Sequence, residues 1–155
     1  SGALSGAGVL SVARLTGDKM LVLGGGLQGA ETADFLGQYG YDVTVVEMQD
    51  GIALEDPDAV RAMLLQRLAE NHVKLLTSAV VKRVYGDGAD YEKDGKRESL
   101  RGFDQVIAAF GVKSYNPLEE ELKDFDGELK VIGDAASVSN AVEAIYQGAL
   151  IGLEL

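Results

Sequence analysis

The sequence predicts an α/β chain of Rossmann-like form. Its core is a doubly wound parallel sheet in which an antiparallel three-stranded meander replaces a crossover helix. Three observations predict this. An apolar run from Met20 to Leu23 breaks into Gly24-x-Gly26-x-x-Gly29 and opens a helical pattern. A second apolar run, Asp42-Val-Thr-Val-Val46, ends on Glu47. Later, short strand-like runs follow one another across Gly86-Asp-Gly88 and Asp94-Gly95. The first two open a βαβ unit suited to a dinucleotide. Glycine leaves the backbone bare, so a pyrophosphate can reach the helix N-terminus, and an acid ending the second strand can accept from an adenine-side ribose. In the third, an Asp-Gly pair between strand-like runs is a hairpin signal.

The elements follow in order. Residues 1–8 are small and Gly-rich, and the reading divides the chain into a linker or leader at 1–15, a nucleotide-binding domain at 16–115 and a distinct segment at 116–155. Val9 to Leu15 is mildly apolar, a short strand or a helical turn. From Leu27 to Tyr39 the positions Leu27, Ala30, Ala33, Phe35 and Leu36 fit a helical face, ended by Gly37 and Gly40. Asp56-Pro57-Asp58 starts the next helix, with Pro57 at the first helical position and acids at the positive end of the dipole. Val60, Met63, Leu64, Leu65 and Leu68 supply its buried stripe to about Glu70. His72 follows Asn71 at the helix end, where a left-handed or capping conformation suits it. A strand at Val73 to Leu76 completes βαβαβ, half of a doubly wound fold. The meander takes Val80 to Tyr85, Ala89 to Glu92 and Arg97 to Leu100, and Phe103 to Ala109 returns as a buried strand. A short acidic helix at Leu118 to Leu122, the run Leu129 to Ile132, Gly133-Asp134 and a helix from Ala141 to Leu155 close the chain.

Composition narrows the chemistry. A formal charge of -11 argues against nucleic acid or an anionic membrane as partner. There is no apolar run of membrane-spanning length and no signal-type leader, so a cytoplasmic setting is the expectation. Cysteine is absent, which removes disulfides, iron–sulfur ligands and thiolate nucleophiles from this chain. A lone histidine, His72, builds neither a multi-histidine metal site nor a repeated acid–base system. No catalytic side chain and no metal site are expected. Any bond-making centre lies in a bound cofactor or in another polypeptide segment.

The strand–Gly24-Gly-Gly-Leu-Gln-Gly-Ala-Glu31–helix run, the strand ending in Glu47, the meander, Ala109-x-Gly111 and Gly133-Asp134 together resemble the NAD(P)H-binding domain of the two-dinucleotide-binding-domain flavoproteins. The resemblance covers about Lys19 to Leu155. Gly24 to Ala33, Val131-Ile-Gly-Asp-Ala135 and Glu143-Ala-Ile-Tyr-Gln-Gly148 look most like the NADH:flavin oxidoreductases related to 2-enoate reductase, 2,4-dienoyl-CoA reductase and trimethylamine dehydrogenase. In that group an FMN-bearing barrel and an iron–sulfur cluster lie upstream. The resemblance implies NAD(H) as the ligand here and FAD in the complete protein, held mainly by a half that precedes this segment. Residues 116–155 would be the part that returns into that incomplete FAD-binding domain, with Asp134 near the flavin ribityl or pyrophosphate. The chain then reads as a piece of a larger polypeptide whose remainder is its partner, inactive in isolation and weak in nucleotide binding.

Gly24, Gly26 and Gly29 form the phosphate turn, and Glu47, followed by Met48, receives the ribose. Two like charges about 4 Å apart cost on the order of 1–4 kcal/mol in a partly solvated site. Glu47 should therefore favour NADH over NADPH by roughly ten- to several-hundred-fold. No Arg or Lys in Met48 to Leu54 offsets a 2′-phosphate. Glu31 is placed in the first helical turn, favoured there by the dipole, and the resemblance puts it near the nicotinamide end. By the same resemblance Leu27 lies over the nicotinamide pocket, while Gln28 departs from the usual aliphatic residue. Ala109 and Gly111 pass beneath the nicotinamide side, with Phe110 in the core. Tyr146 and Gln147 are read as packing residues, although in relatives this helix start faces the flavin. Two other classes of function remain open: a standalone NAD-binding or sensing module, and a nucleotide-using transferase.

Overall fold

Met20, Leu21, Val22 and Leu23 are all fully buried, and alternate members face opposite sides of the strand they form. Both faces of the strand must therefore be covered, which is the condition of a central parallel strand. The computed structural model, which describes residues 4–5 and 15–154, shows what covers them. Strands β1 (Leu4–Ser5), β2 (Lys19–Leu23), β3 (Asp42–Val46), β4 (Lys74–Leu76) and β8 (Gln105–Ala108) form a parallel sheet of order β1-β8-β2-β3-β4. Strands β5 (Val80–Tyr85), β6 (Gly88–Lys93) and β7 (Lys96–Leu100) form a separate antiparallel sheet. Met20 and Val22 pack with Ala30, Ala33, Leu36, Leu64 and Leu68 from helices α1 (Leu27–Gln38) and α2 (Asp58–Glu70). Leu21 and Leu23 pack instead with Ala89 and Tyr91 of the meander. The meander thus occupies the face a crossover helix would cover.

Residues 4–5, within the leader expected at 1–15, form the edge strand β1, parallel to β8. The remainder of residues 1–14 and Leu155 lie outside the described residues, so the Val9 to Leu15 segment is described only at Leu15.

The expected helix at Leu27 to Tyr39 and the strand at 42–46 are present within a residue. His72 has φ +56°, the left-handed conformation anticipated from its place after α2. The α2 stripe is narrower than expected. Only Leu64 and Leu68 are buried on it, whereas Val60 and Met63 are exposed. Val60, Leu64 and Leu68 follow at i, i+4 and i+8 along one line, so Val60 is exposed by its place in the first turn of α2, whereas Met63 stands about 100° to the side of Leu64. Pro57 is the N-cap, one residue before the helical position foreseen for it. Arg67 of α2 donates through Nε to Asp34 Oδ2 of α1 at 2.8 Å, a tie between the two helices with the carboxylate nearly buried.

In the meander, Asp94 (φ +51°) and Gly95 (φ +71°) make the turn between β6 and β7. Asp90 is the polar hub of this sheet. Hydrogen bonds from the Ser99 hydroxyl, then the Tyr85 hydroxyl and Arg101, lower its pKa from 3.8 to about 2. Because the folded value lies below the unfolded one, this contribution is complete above pH 3.8 and disappears as pH falls through 2. Asp90→Asn should therefore flatten the loss of thermal stability between pH 4 and pH 2. Calorimetric melts of both proteins across that window check it; parallel curves would contradict it.

The chain divides into two compact units, Ser1–Gly111 and Val112–Leu155. In the second, Asn116 caps the short helix α3 (Pro117–Glu121) by accepting from the Glu119 N–H at 3.3 Å. A 3-10 turn at Gly133–Ala135 and helix α4 (Ala141–Glu154) follow. Leu129 to Ile132 takes no regular form. Gln147 ties the turn to α4, accepting from the Gly133 N–H at 2.7 Å and donating to Glu143 at 3.0 Å. Its role is this polar tie rather than packing. No described residue of this unit is fully buried, and Val142, Ile145, Tyr146, Leu150 and Leu153 of α4 are exposed.

Candidate functional site

The register sets Leu23 beside Val46 on one side and Ala108 on the other. The residues that follow, Gly24, Glu47 and Ala109, therefore emerge together at the carboxyl ends of β2, β3 and β8. The chain winds outward from β2 through β3 to β4, then returns to β8 on the opposite flank. Open α/β sheets leave a crevice at such a switch point.

Gly24 has φ +103°, donates to the Val46 carbonyl at 2.8 Å, and would place a Cβ 2.3 Å from the Ala109 carbonyl oxygen. Both its conformation and its space demand glycine. A Cβ on Gly29 would sit 1.9 Å from the Gly24 carbonyl oxygen, so α1 presses directly against the strand end. Beside the turn, Glu47 is buried. Its Oε2 accepts from the Gly25 N–H at 2.5 Å and its Oε1 from the Gln49 N–H at 2.7 Å. Its own backbone joins Leu76 and Ala79, each at 2.9 Å. Each carboxylate oxygen retains further acceptor capacity.

The loop after Glu47 folds back over the turn. The Ala53 N–H donates to the Gly25 carbonyl at 2.8 Å, the Ile52 side chain packs at Gly25, and Arg61 Nε donates to the Ile52 carbonyl at 2.7 Å. This loop carries Glu55 to the N-terminus of α1, where Oε1 accepts from the Leu27 N–H at 2.6 Å. Gly26, the N-cap, offers no side-chain acceptor of its own, and a Cβ on it would lie 2.8 Å from that oxygen. An oxyanion thus already sits on the helix N-terminus with a bare backbone beneath it. A dinucleotide pyrophosphate makes the same demand of this cradle, so the residues fit that group. They do not fit a flavin in the same way. Asp134 stands in an exposed turn with one backbone partner, the Ser139 N–H at 3.2 Å.

The structure therefore joins Gly24, Gly26, Leu27, Gly29, Glu47 and Ala109 at one edge. The Gln28 side chain is exposed beside them, and its carbonyl accepts from the Thr32 hydroxyl at 2.7 Å. Met48 is exposed next to Glu47, and Gly111 has φ +84° at the end of the first unit. Two expectations are corrected. Glu31 is the fifth residue of α1, in its second turn, and the first turn holds no acid, so the dipole does not account for it. Phe110 is exposed rather than in the core, because it lies beyond the end of β8. Asp134 belongs to the second unit. Glu55 and Arg61 escaped the sequence reading. The approach of Glu55 to Leu27 spans 28 residues, and no spacing rule signals it.

Known proteins share this sequence pattern and fold. The sequence profile of the pyridine nucleotide-disulphide oxidoreductases matches residues 5–148. The chain belongs to that family. It is 33% identical over 132 residues to the NADH oxidase of Thermoanaerobacter brockii, covering 84% of this chain and 20% of that protein. It is 32% identical over 141 residues to the cinnamate reductase of Clostridium sporogenes, covering 89% of this chain and 21% of that protein. A solved 2-naphthoyl-CoA reductase superposes with a TM-score of 0.77 at 25% identity, over 92% of this chain and 22% of that one. These relatives fit the 2-enoate reductase-like group. The chain spans about a fifth of the length of the curated relatives it matches. Members of this family are oxidoreductases that bind a pyridine nucleotide and a flavin.

Proposed function

We propose that this chain is the NADH-binding part of a flavin-dependent oxidoreductase, a piece of a longer polypeptide whose other segments hold most of the flavin. Glu47 carries the reading: a buried carboxylate, oriented by two backbone N–H groups, stands one strand away from the glycine turn. In this reading Gly24, Gly26 and Gly29 admit the pyrophosphate, and the Leu27 N–H donates to it. Glu47 accepts the ribose hydroxyls with Met48 alongside. Ala109 and Gly111 form the opposite wall, and Leu27, Gln28 and Glu31 lie toward the nicotinamide. Bound NADH supplies a hydride to a flavin. The chain's own residues contribute position and exclusion of water, with no side chain acting as acid or base.

The division at 16–115 and 116–155 belongs to the same reading, with Asp134 meeting the flavin in the whole protein. The uncovered apolar side chains of α4 support it, since a stable fold ordinarily covers such a set. FMN and an iron–sulfur cluster would lie in segments outside this chain.

Equilibrium titration of the purified chain with NADH, NADPH and FAD tests the reading. NADH should bind weakly, NADPH roughly ten- to several-hundred-fold more weakly still, and FAD not measurably. Equal affinity for the two nicotinamide nucleotides would remove Glu47 from its assigned role.

A further inference from the structure

We infer that Glu55 is an internal competitor for the dinucleotide, which the pyrophosphate must displace from the Leu27 N–H in order to bind. The inference deepens the proposed function and rests on it. Four observations carry it. The Glu55 carboxylate takes the N-terminal donor of α1 at 2.6 Å. The N-cap, Gly26, provides no competing side-chain acceptor, so the helix end is satisfied from outside its own sequence. Glu55 arrives on a loop fastened at Ala53, Ile52 and Arg61, which holds the acid in place. Gly26 is also required for its approach, since a Cβ there would meet Glu55 Oε1.

The consequence is an affinity set by exchange of one anion for another. A phosphate cannot share the Leu27 N–H with a carboxylate on the same bare surface, and the two negative groups repel. Glu55 is exposed, so water receives it once it is displaced. The residue thus sets how tightly the site holds any phosphate-bearing ligand. It leaves the Glu47 end, and hence the choice between the two nicotinamide nucleotides, unchanged.

The test is isothermal titration of NADH, ADP and adenosine into the wild-type chain, Glu55→Gln, Glu55→Ala and the charge control Asp58→Asn. Glu55→Gln keeps an acceptor oxygen on the Leu27 N–H while removing the charge. Both Glu55 variants should bind NADH and ADP roughly five- to tenfold more tightly than wild type, with adenosine and the NADH/NADPH ratio unchanged. Asp58→Asn, which removes a carboxylate three residues further along, in the first turn of α2, should behave as wild type. If wild type binds NADH and the Glu55 variants bind it equally or more weakly, the competitor role is wrong and the proposed function stands. Tightening by Asp58→Asn to the same extent would replace the competitor role with a general charge effect. If no form binds NADH or ADP, both readings fall together.

Discussion

Gly29→Ala is expected to cost about 3 kcal/mol or more of stability and to weaken NADH binding roughly ten- to a hundredfold. The added Cβ would lie 1.9 Å from the Gly24 carbonyl oxygen, and that obstacle is backbone with no rotamer to change. Either α1 retreats from the end of β2 or the turn deforms. Both moves carry the Leu27 N–H away from the position a phosphate oxygen needs. Gly40→Ala is the comparison, because nothing lies within 4 Å of a Cβ there and only its φ of +84° opposes the change. Urea unfolding and NADH titration of the two variants check the prediction. A Gly29→Ala protein as stable as wild type and as tight for NADH would show that the contact between helix and strand is dispensable.

Glu47→Ala should produce the second large effect, and on two separate measurements. It strands the Gly25 and Gln49 N–H groups, one of them in a buried turn, for a loss of about 2–4 kcal/mol. It also removes the charge opposed to a 2′-phosphate, so the NADH/NADPH affinity ratio should fall toward one. Glu47→Gln separates the two effects. Its amide oxygen can serve one of the N–H groups and recover part of the stability, while the ratio still collapses. If the ratio survives in both variants, the ribose is read elsewhere.

The glycine turn and the strand-end acid were legible because they depend on local spacing. A continuous apolar run, a bare turn and a helical period follow one another within a score of residues, and each has its own short-range cause. The meander was legible for the same reason, since Asp94 and Gly95 specify a hairpin without help from distant residues. What the sequence concealed is contact across distance. Glu55 reaches Leu27 through a loop whose course depends on Ile52 packing at Gly25, and no periodicity encodes that. Val60 and Met63 misled because an apolar residue on a helix reports only that it could be buried. Whether it is buried depends on how far the sheet beneath extends. Phe110 misled in the same way, one step past the strand that would have covered it.

The pairing of β8 with β2 also orders events in time. The meander joins strands that are neighbours in sequence, and such short loops close quickly. By contrast, Met20 pairs with Gln105 across 85 residues, a far longer loop to close. On a ribosome, the glycine turn emerges before Ala109 is synthesised, so its far wall does not yet exist. The site is therefore finished by the last strand of its unit, and a nascent chain halted before β8 would carry the fingerprint without the crevice.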